Sequence, residues 1–401
     1  MRRQKEIDIL LELFLVLTVM RNICLFFSLA TVATVIFYSA HIVLALIVVL
    51  TILVSSKRKV KMTWNLLASV LVIIMLFVIP MTYGLSIWSV SSFTPLSVLL
   101  TVLFLVTTKS IIISEKTINN CCVIFIIQAI FAVVCSVLPG SFEYGALELH
   151  IGNPNQTAII LWTSFVFCYL YLAKRLVQKK YTFLLTLIMI ALVVMIILTQ
   201  ARSIMLAFII CLIWHFWGKR KNGYKNYPLI VQNILVLAPL YIPVLILVLM
   251  NILPNEITIF GKLLFSGREQ IWKNIADAFI NNPFSHHLDT SPFYSNIMLN
   301  NAETLKGWGA HNGFLSIQWN YGILVLIPIV FILLINVKEL RKYADANINS
   351  CIVYVITLAT LFSLSFEESL LMGNICTTTI LPLLFIIGRS EQYNADLCCN
   401  K

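Results

Sequence analysis

Residues 181–217 decide the class of fold, and they read YTFLLTLIMIALVVMIILTQARSIMLAFIICLIWHFW. Two apolar runs, 181–199 and 202–217, meet at the short polar turn Thr199-Gln200-Ala201-Arg202. Each run has about the length that an α-helix needs to cross the hydrocarbon core of a bilayer, which is ~20 apolar residues. Strands of a membrane barrel would instead alternate apolar and polar residues over ~10 residues. The stretch therefore predicts a tight hairpin of two transmembrane helices.

The composition extends this interpretation to the whole chain. Of the 401 residues, 60% are hydrophobic and only 11% are charged, and the mean hydropathy is +0.94. A soluble domain has too little interior to bury so much apolar surface. Because hydrocarbon cannot satisfy backbone N–H and C=O groups, the spans must satisfy them internally. We predict an all-α polytopic membrane protein with about twelve transmembrane helices, forming a single domain over residues 1–401.

Apolar runs of similar length recur along the chain. The first hairpin is predicted at 22–38 and 40–54, with its turn at Ser39-Ala40-His41 and with residues 7–20 as an interfacial extension. The remaining spans are predicted at 62–80, 94–110, 118–138, 155–173, 181–199, 202–217, 228–250, 312–335, 350–366 and 370–387.

The distribution of basic residues predicts the orientation. The net charge is +11, and short basic clusters adjoin successive apolar runs: Arg2-Arg3-Lys5, Lys57-Arg58-Lys59-Lys61, Lys174-Arg175-Lys179-Lys180, Lys219-Arg220-Lys221-Lys225 and Lys338-Arg341-Lys342. Cytoplasmic loops carry such an excess of Lys and Arg, so the charge indicates topology and not a nucleic-acid-binding patch. Both termini are then cytoplasmic, and residues 251–310 form one large loop on the outer face.

The large loop carries a predicted amphipathic helix. Ser266-Gly267-Arg268-Glu269 has the form of a capping box, in which side chains satisfy the first free N–H groups of a helix. Ile271, Ile275 and Phe279 follow at helical spacing, and the helix is expected to end before Asn282-Pro283. We expect it to lie on the membrane face with Trp272 near the lipid headgroups.

Metal-ligand and disulfide patterns are absent from the sequence. The ten cysteines include no CxxC pair and show no Cys/His metal spacing. His286-His287 has no third ligand nearby in the sequence, and we interpret the pair as surface histidines. The loop contains no Asp-x-Asp pair, which argues against a divalent-metal nucleotide-sugar transferase. We predict neither a metal site nor a cofactor.

Three residues on the outer face are candidate catalytic groups. Arg202 opens a span, where it either anchors the helix at the headgroups or binds phosphate through its planar fork. Arg268, in the first turn of the loop helix, either pairs with Glu269 or forms an anion site with the free N–H groups. His311 opens the span after the loop, where it serves either as a structural hydrogen-bonding group or as a general base near neutral pH.

Further polar residues on the same face are predicted to bind substrate. Asn153-Pro154-Asn155 stands where a span begins, where it either caps the helix or binds substrate. Asn312 adjoins His311. Glu367-Glu368 forms the last outer turn, either as solvated residues or as carboxylates that orient an arginine or activate a hydroxyl. We add Glu269 to this group.

The ordered segments on the outer face resemble the O-antigen polymerase and O-antigen ligase superfamily. The segments are Gly152-Asn153-Pro154-Asn155, Thr199-Gln200-Ala201-Arg202-Ser203, Ser266-Gly267-Arg268-Glu269-Gln270-Ile271-Trp272, Asn282-Pro283-Phe284, Ala310-His311-Asn312-Gly313-Phe314 and Tyr321-Gly322-Ile323. The large late loop, periplasmic by this resemblance, fits the same family. One departure is Ser285-His286-His287, which stands where the family often has G-x-G.

The resemblance implies metal-independent glycosyl transfer on the periplasmic face from a glycan linked to undecaprenyl pyrophosphate. Arg202 and Arg268 would stabilise the leaving pyrophosphate, and His311 would accept the proton of the acceptor hydroxyl or orient it for attack with inversion. A polymerase is favoured by the Gly-Asn-Pro-Asn and Ser-Gly-Arg-Glu segments. A ligase that transfers polymer to lipid A-core is the alternative within the family, and a lipid-linked oligosaccharide flippase or transporter is the alternative of another class. The expected partners are the lipid-linked oligosaccharide, membrane lipid, a flippase and a chain-length regulator.

Overall fold

The computed structural model describes residues 2–56, 64–82, 93–143, 145–151, 153–174, 179–221, 229–250, 258–259, 262–263, 268–284, 310–344, 348–367 and 375–399. The helices are α1 (Arg2–Phe26), α2 (Ala30–Ser56), α3 (Trp64–Thr82), α4 (Phe93–Thr107), α5 (Glu115–Ser136), α6 (Pro154–Ala173), α7 (Lys179–Leu198), α8 (Arg202–Lys221), α9 (Leu229–Met250), α10 (Arg268–Asn281), α11 (Gly313–Tyr321), α12 (Ile323–Ala344), α13 (Ile348–Ser363), α14 (Ile375–Thr378) and α15 (Ile380–Cys399). Two short antiparallel hairpins pair β1 (Phe142–Glu143) with β2 (Ala146–Leu147) and β3 (Thr258–Ile259) with β4 (Lys262–Leu263).

The predicted class, an all-α polytopic membrane protein, is confirmed. Within the described residues, seven helices are long and apolar enough to cross a membrane: Lys5–Phe26, Ala30–Val54, Glu115–Ser136, Pro154–Ala173, Tyr181–Leu198, Val231–Leu249 and Ile323–Ala344. Leu96–Ser110, Arg202–Trp214 and Ile348–Ser363 are shorter apolar helices. The exact count of twelve spans stays a prediction.

The predicted position of the turn in the first hairpin is wrong. The chain reverses at residues 27–29, where Ser28 has a φ of +59°, and Ser39, Ala40 and His41 lie inside α2. These polar side chains fit a helix because they bond to carbonyl groups one turn earlier: the Ser39 hydroxyl donates to the carbonyl oxygen of Val35 at 3.0 Å. Residues 7–20 belong to α1, which is a candidate span with a buried face and not an interfacial extension.

Helix α13 lies at the centre of the bundle and packs against α6, α8, α9, α12 and α15. Buried hydrogen bonds join it to α6 and α9. Trp162 Nε1 on α6 donates to Thr360 Oγ1 at 3.1 Å, and the Tyr354 hydroxyl donates to Gln232 Oε1 on α9 at 3.1 Å. Because such bonds need fixed partners in an apolar interior, they set the depth of α13 relative to α6 and α9.

The bundle has two chemically different ends. At the end that we call the basic end, Lys109 and Arg389 both pair with Glu339, and Lys174 Nζ lies 2.5 Å from Glu391 Oε1. The opposite end carries the α7–α8 turn, the β1–β2 hairpin and the turn after α13, and we call it the site end. Short connections between α6, α7 and α8 make these helices alternate in direction, so Pro154 and Arg202 both begin helices at the site end.

The predicted span 312–335 is also wrong, because the structure divides it. Gly322 adopts a φ of +74°, a conformation that glycine reaches without the steric penalty of other residues, and it separates α11 from α12. Helix α12 then continues to Ala344. The predicted last span 370–387 overlaps α15, which begins at Ile380 and extends to Cys399, while residues 368–374 lie outside the described part of the chain.

The predicted loop helix is present as α10, but its apolar face covers protein. Trp272 is only 1% exposed, and its Nε1 donates to the carbonyl oxygen of Ala310 at 2.8 Å. Ile271 and Ile275 pack in the same cluster as Ile242 of α9. The expected position of Trp272 near the headgroups is therefore wrong, because helical periodicity reveals an apolar face but not what covers it. The predicted capping residues Ser266-Gly267 lie outside the described residues.

Candidate active site

Asn312 organises the site end through four hydrogen bonds. Its Oδ1 accepts from the backbone N–H groups of Phe314 at 3.0 Å and Leu315 at 2.9 Å, which caps the N-terminus of α11. Its Nδ2 donates to the carbonyl oxygens of Pro239 at 2.8 Å and Ser365 at 3.0 Å. An asparagine amide offers two donors and two acceptor positions, so the side chain is fully engaged with protein groups.

Two prolines in α9 explain why the backbone carbonyl of Pro239 can accept a hydrogen bond from Asn312. Proline has no N–H, and Pro243 lies four residues after Pro239, where that N–H would have bonded to the Pro239 carbonyl. The freed carbonyl is buried in the bundle, where an unpaired acceptor is costly. Asn312 supplies the missing donor, so the P-x-x-x-P spacing in α9 fixes where α11 begins.

His311 is held next to this anchor in a backbone conformation that L-residues rarely adopt. Its φ is +49°, and it stands between Ala310, whose carbonyl accepts from Trp272, and the fully bonded Asn312. Strained residues of this kind persist where the surrounding structure fixes them, and they cluster at functional sites. The strain thus makes His311 a functional candidate independently of its chemistry.

The imidazole of His311 is neutral around pH 7. Burial lowers the pKa of His311 to about 4, and the positive charge of Arg268 adds to the decrease. Arg268 is the first residue of α10, and the structure therefore brings the two predicted catalytic groups into electrostatic contact. A neutral histidine beside a cation can accept a proton while the cation attracts an anion.

The turn after α13 is joined to the segment that carries His311, and it ends at a buried glutamate. Gly313 N donates to the carbonyl oxygen of Leu364 at 2.9 Å, and Asn312 binds Ser365, so the 310–313 segment and the 364–367 turn are joined. Glu367 ends this turn and is only 3% exposed. Glu368 lies outside the described residues, and Glu269 is described only as part of the α10 backbone.

Arg202, Asn153 and Asn155 form a second group at the site end. Asn153 Oδ1 accepts from Asn155 N at 2.9 Å and Gln156 N at 3.2 Å, so Asn153 caps α6 ahead of Pro154. Gln200, with a φ of +57°, donates from Nε2 to the carbonyl oxygen of Gly145 at 3.1 Å in the β1–β2 connection. This bond ties the turn before Arg202 to the loop before Asn153.

Arg202 is the first residue of α8, and the residue before it cannot cap the helix. Ala201 occupies the N-cap position and has no side-chain acceptor for the first N–H groups. A cation at this end of a helix opposes the positive end of its dipole, which is unfavourable unless an anion is present. Arg202 and the first turn of α8 therefore form an arrangement suited to phosphate.

The two groups lie on the same end but come from different elements. Trp162 of α6 bonds to Thr360 near the end of α13, whereas Leu170 at the other end of α6 lines a small cavity with Asn349 at the start of α13, so the two helices are antiparallel. The N-terminus of α6 and the C-terminal turn of α13 consequently share the site end. Arg268, His311, Asn312 and Glu367 form one group, and Arg202, Asn153 and Asn155 form the other.

Sequence reasoning missed Glu148, Gln200 and the proline pair of α9. Glu148 is 8% exposed in the loop before α6, and its backbone carbonyl accepts from Thr157 Oγ1 at 2.7 Å. The proximity of Glu148 to Asn153 in the sequence could have identified Glu148 as a candidate. The P-x-x-x-P spacing was a signal for a freed carbonyl in a membrane helix. The sequence held no comparable signal for the positive φ of Gln200.

Fold and site together define a polytopic α-helical membrane protein with arginines, a neutral histidine and a buried carboxylate at one end. Residues 185–330 match the family model described as O-antigen ligase. The match confirms the resemblance to the O-antigen polymerase and ligase superfamily. No curated protein matches the chain.

The matched segment runs from α7 into α12. It includes Arg202, Arg268, His311 and Asn312. Asn153, Asn155, Glu367 and Glu368 lie outside it.

Proposed function

We propose that this chain is a surface-polysaccharide polymerase of the O-antigen type. It would transfer glycan from undecaprenyl pyrophosphate onto a lipid-linked repeat unit at the periplasmic face of the bacterial inner membrane. The observation that supports this most is that the charge of Arg268 acts on the neutral His311 inside the segment that matches the family. A cation beside a base is what pyrophosphate displacement by a hydroxyl requires.

In the proposed reaction, the acceptor hydroxyl oxygen attacks the anomeric carbon of the donor sugar from the face opposite the pyrophosphate. The new C–O glycosidic bond forms as the bond from that carbon to the pyrophosphate oxygen breaks, which inverts the anomeric configuration. The bonding electrons leave with the polyprenyl pyrophosphate. The hydroxyl proton passes to the imidazole of His311. The reaction as written is metal-independent and uses no cofactor.

Arg202 and Arg268 would stabilise the negative charge that grows on the leaving pyrophosphate. Each begins a helix, so the backbone N–H groups of that helix's first turn point toward the same region as the guanidinium. Donors that are already in place are worth more in a water-poor site than in bulk water, because no reorganisation is needed as charge develops.

Donor binding would also activate His311. Burial is the main cause of the low pKa of the imidazole and the charge of Arg268 is the smaller one, and a bound pyrophosphate would neutralise that charge. The pKa of His311 would then rise from about 4 toward its ordinary value, which makes the imidazole a stronger base only when the donor is present.

The other predicted site residues divide into positioning and contact roles. Asn312 positions His311, because all four hydrogen-bonding positions of its side chain are filled by protein groups. Asn153 positions the start of α6 in the same way through Oδ1. Asn155, Glu269, Glu367 and Glu368 are proposed to contact the sugars or the acceptor hydroxyl.

A ligase is the second candidate, and the description of the matching family as O-antigen ligase favours it. The test compares a strain that lacks the protein with its parent by surface-polysaccharide gel and by analysis of the lipid-linked pool. A polymerase predicts lipid A-core that carries a single repeat unit, without a ladder. Bare core with long polymer left on undecaprenyl pyrophosphate would identify a ligase.

A transporter of lipid-linked oligosaccharide is the candidate of another class. Transporters commonly place ionisable groups at the membrane midplane between repeated bundles. In the described residues, the clearest charged groups of this chain lie at the two ends of the bundle. New glycosidic bonds made by purified protein without any ion gradient would exclude a pure transporter.

A further inference from the structure

Gln318 of α11 is a buried glutamine whose side-chain amide is bonded at one end. The residue is 6% exposed, and its Nε2 donates to the backbone carbonyl oxygen of Pro283 at 3.3 Å. Within the described part of the chain, its Oε1 accepts no hydrogen bond. Exchanging the two amide atoms would not help, because Oε1 would then face the Pro283 oxygen. The amide orientation is therefore fixed, and it leaves a buried acceptor unused, which is costly in an apolar interior.

Other buried glutamines of the bundle use both parts of the amide or fill the acceptor. Gln128 accepts at Oε1 from Asn22 Nδ2 at 2.8 Å and donates from Nε2 to Ser164 Oγ at 2.8 Å. Gln232 accepts at Oε1 from the Tyr354 hydroxyl at 3.1 Å. Most buried polar side-chain atoms in proteins have a partner, as these do. A purely structural role therefore does not account for the unused acceptor on α11.

The unused acceptor belongs to the candidate site. Gln318 follows Asn312 by six residues, which is about 9 Å along the axis of α11 at ~1.5 Å per residue. Its partner Pro283 follows α10, the helix that begins at Arg268. Ser365, on the turn that Asn312 joins to α11, is fully buried, and in the described residues its Oγ also has no hydrogen-bond partner. Unused hydrogen-bonding groups thus lie on both elements that Asn312 holds together.

The chemistry of Oε1 restricts what can bind it. A carbonyl oxygen only accepts hydrogen bonds, so its partner must carry an O–H or N–H group. The ionised oxygens of a pyrophosphate diester also only accept, and they do not fit. Sugar hydroxyls and acetamido N–H groups do fit. The glycan part of a lipid-linked substrate therefore matches this atom, whereas its pyrophosphate matches the arginines.

We propose that Gln318 is a specificity-determining residue whose Oε1 accepts a hydrogen bond from a hydroxyl or acetamido N–H group of the glycan. The inference rests on the proposed function, because it takes a lipid-linked glycan to be bound beside His311. The bond to Pro283 holds the amide in place before the sugar binds, which lowers the cost of ordering it. A site built in this way rejects an analogue that lacks the donor group, because the buried acceptor is then left unpaired.

The test removes the donor from the substrate and the acceptor from the protein, separately and together. The substrates are the natural lipid-linked repeat unit and a set of analogues, each of which lacks one hydroxyl or one amide N–H. Gln318→Met removes the amide at similar volume, and Gln318→Asn is a milder change that withdraws the amide by one methylene. Asn320→Leu is the matched control, because Asn320 lies on the same helix and its Nδ2 donates to the Ser316 carbonyl oxygen at 2.8 Å. The value of kcat/KM is measured for each purified protein with each substrate.

We expect the parent to use one analogue about tenfold less well than the natural unit, the contribution of about one neutral hydrogen bond. Gln318→Met and Gln318→Asn should use the natural unit about tenfold less well and should not discriminate against that analogue. Asn320→Leu should keep the preference of the parent. An active parent that uses every analogue equally, or Gln318 variants that keep the parent's preference, would overturn this inference alone. A parent that forms no glycosidic bond from the natural unit would overturn the proposed function and the inference with it.

Discussion

At the scale of single residues, the site depends on one fully bonded asparagine beside one strained histidine. Asn312 uses every hydrogen-bonding position of its side chain on α9, α11 and the turn after α13, which leaves His311 in a fixed orientation. Catalytic groups need such supports, because small displacements at a reacting centre cost large factors in rate.

Replacement of Arg268 tests its electrostatic coupling to His311. Removing a positive charge makes the protonated imidazole less unfavourable, so Arg268→Gln should raise the pKa of His311 above about 4. Because burial is the larger cause of the shift, the value should stay below the ordinary 6.5. The measurement is an NMR titration of ring-labelled histidine, with the signal assigned through His311→Gln. An unchanged titration in Arg268→Gln would mean that the two groups are not coupled.

Replacement of Arg202 tests whether the guanidinium binds phosphate or only anchors α8. Lysine keeps the charge and also reaches the headgroups, but it lacks the planar fork that binds two phosphate oxygens. We expect Arg202→Lys to lose about a hundredfold in kcat, a loss of the size seen when one preorganised donor is removed. The amount of folded protein should not change. Full activity in Arg202→Lys would support the anchoring role.

At the scale of helices, the two prolines of α9 and the start of α11 are coupled through one hydrogen bond. Pro243 removes the partner of the Pro239 carbonyl, and Asn312 replaces it. Membrane helices tolerate proline where another group satisfies the freed carbonyl, and here that group belongs to the candidate site. The local sequence of α9 therefore determines the position of His311.

A double-mutant cycle tests the coupling between Pro243 and Asn312. Asn312→Ala should destabilise the parent protein by about 2 to 4 kcal/mol, from the lost cap and from the buried acceptors left unpaired. In Pro243→Ala, the restored N–H at position 243 can satisfy the Pro239 carbonyl, so the same substitution should cost about 1 kcal/mol less. The measurement is unfolding in mixed micelles. Strictly additive changes in the free energy of unfolding would mean that Pro243 and Asn312 are not coupled.

The sequence predicted whole helices better than their turns. Apolar runs such as 181–217 and the periodicity of α10 identified helices, because length and period depend only on local residue types. The first turn was misplaced because Phe27-Ser28-Leu29 contains no strong breaker, while Ser39 looked polar but bonds within its own helix. Gly322 lies inside an apolar run, which predicts one continuous span. Its positive φ, which ends α11, has no signature in the surrounding residues.

The site was predicted residue by residue but not as an assembly. Sidedness placed Arg202, Arg268 and His311 on one face, and the structure places all three at the site end. Distances between elements depend on packing that a single sequence does not encode in any local pattern, so neither the bonds of Asn312 nor the burial of Trp272 was foreseen. The roles of these residues in catalysis stay predictions.

At the scale of the whole molecule, the two ends differ in charge chemistry. Ion pairs such as Lys174 with Glu391 hold the basic end together, whereas the site end presents helix starts, an arginine and a histidine. Chains orient with their basic loops in the cytoplasm, so this difference predicts that the site end is periplasmic.

Thiol labelling tests this orientation. In a variant without the ten natural cysteines, a single cysteine is placed at Val137, which is 82% exposed after α5 at the site end, or at Ile348, which is 60% exposed at the start of α13. A membrane-impermeant reagent added to whole cells should label position 137, and it should label position 348 only after the membrane is permeabilised. The opposite pattern would mean that the orientation is inverted.

The central claim, that this chain joins lipid-linked repeat units at a site built on His311, is tested most directly with purified protein in liposomes. Parent protein and His311→Ala are incubated with lipid-linked repeat units and no ion gradient, and the products are separated by length. The account predicts a ladder of lipid-linked polymers from the parent and none from His311→Ala at equal amounts of folded protein. No ladder from the parent, or the same ladder from His311→Ala, would contradict it.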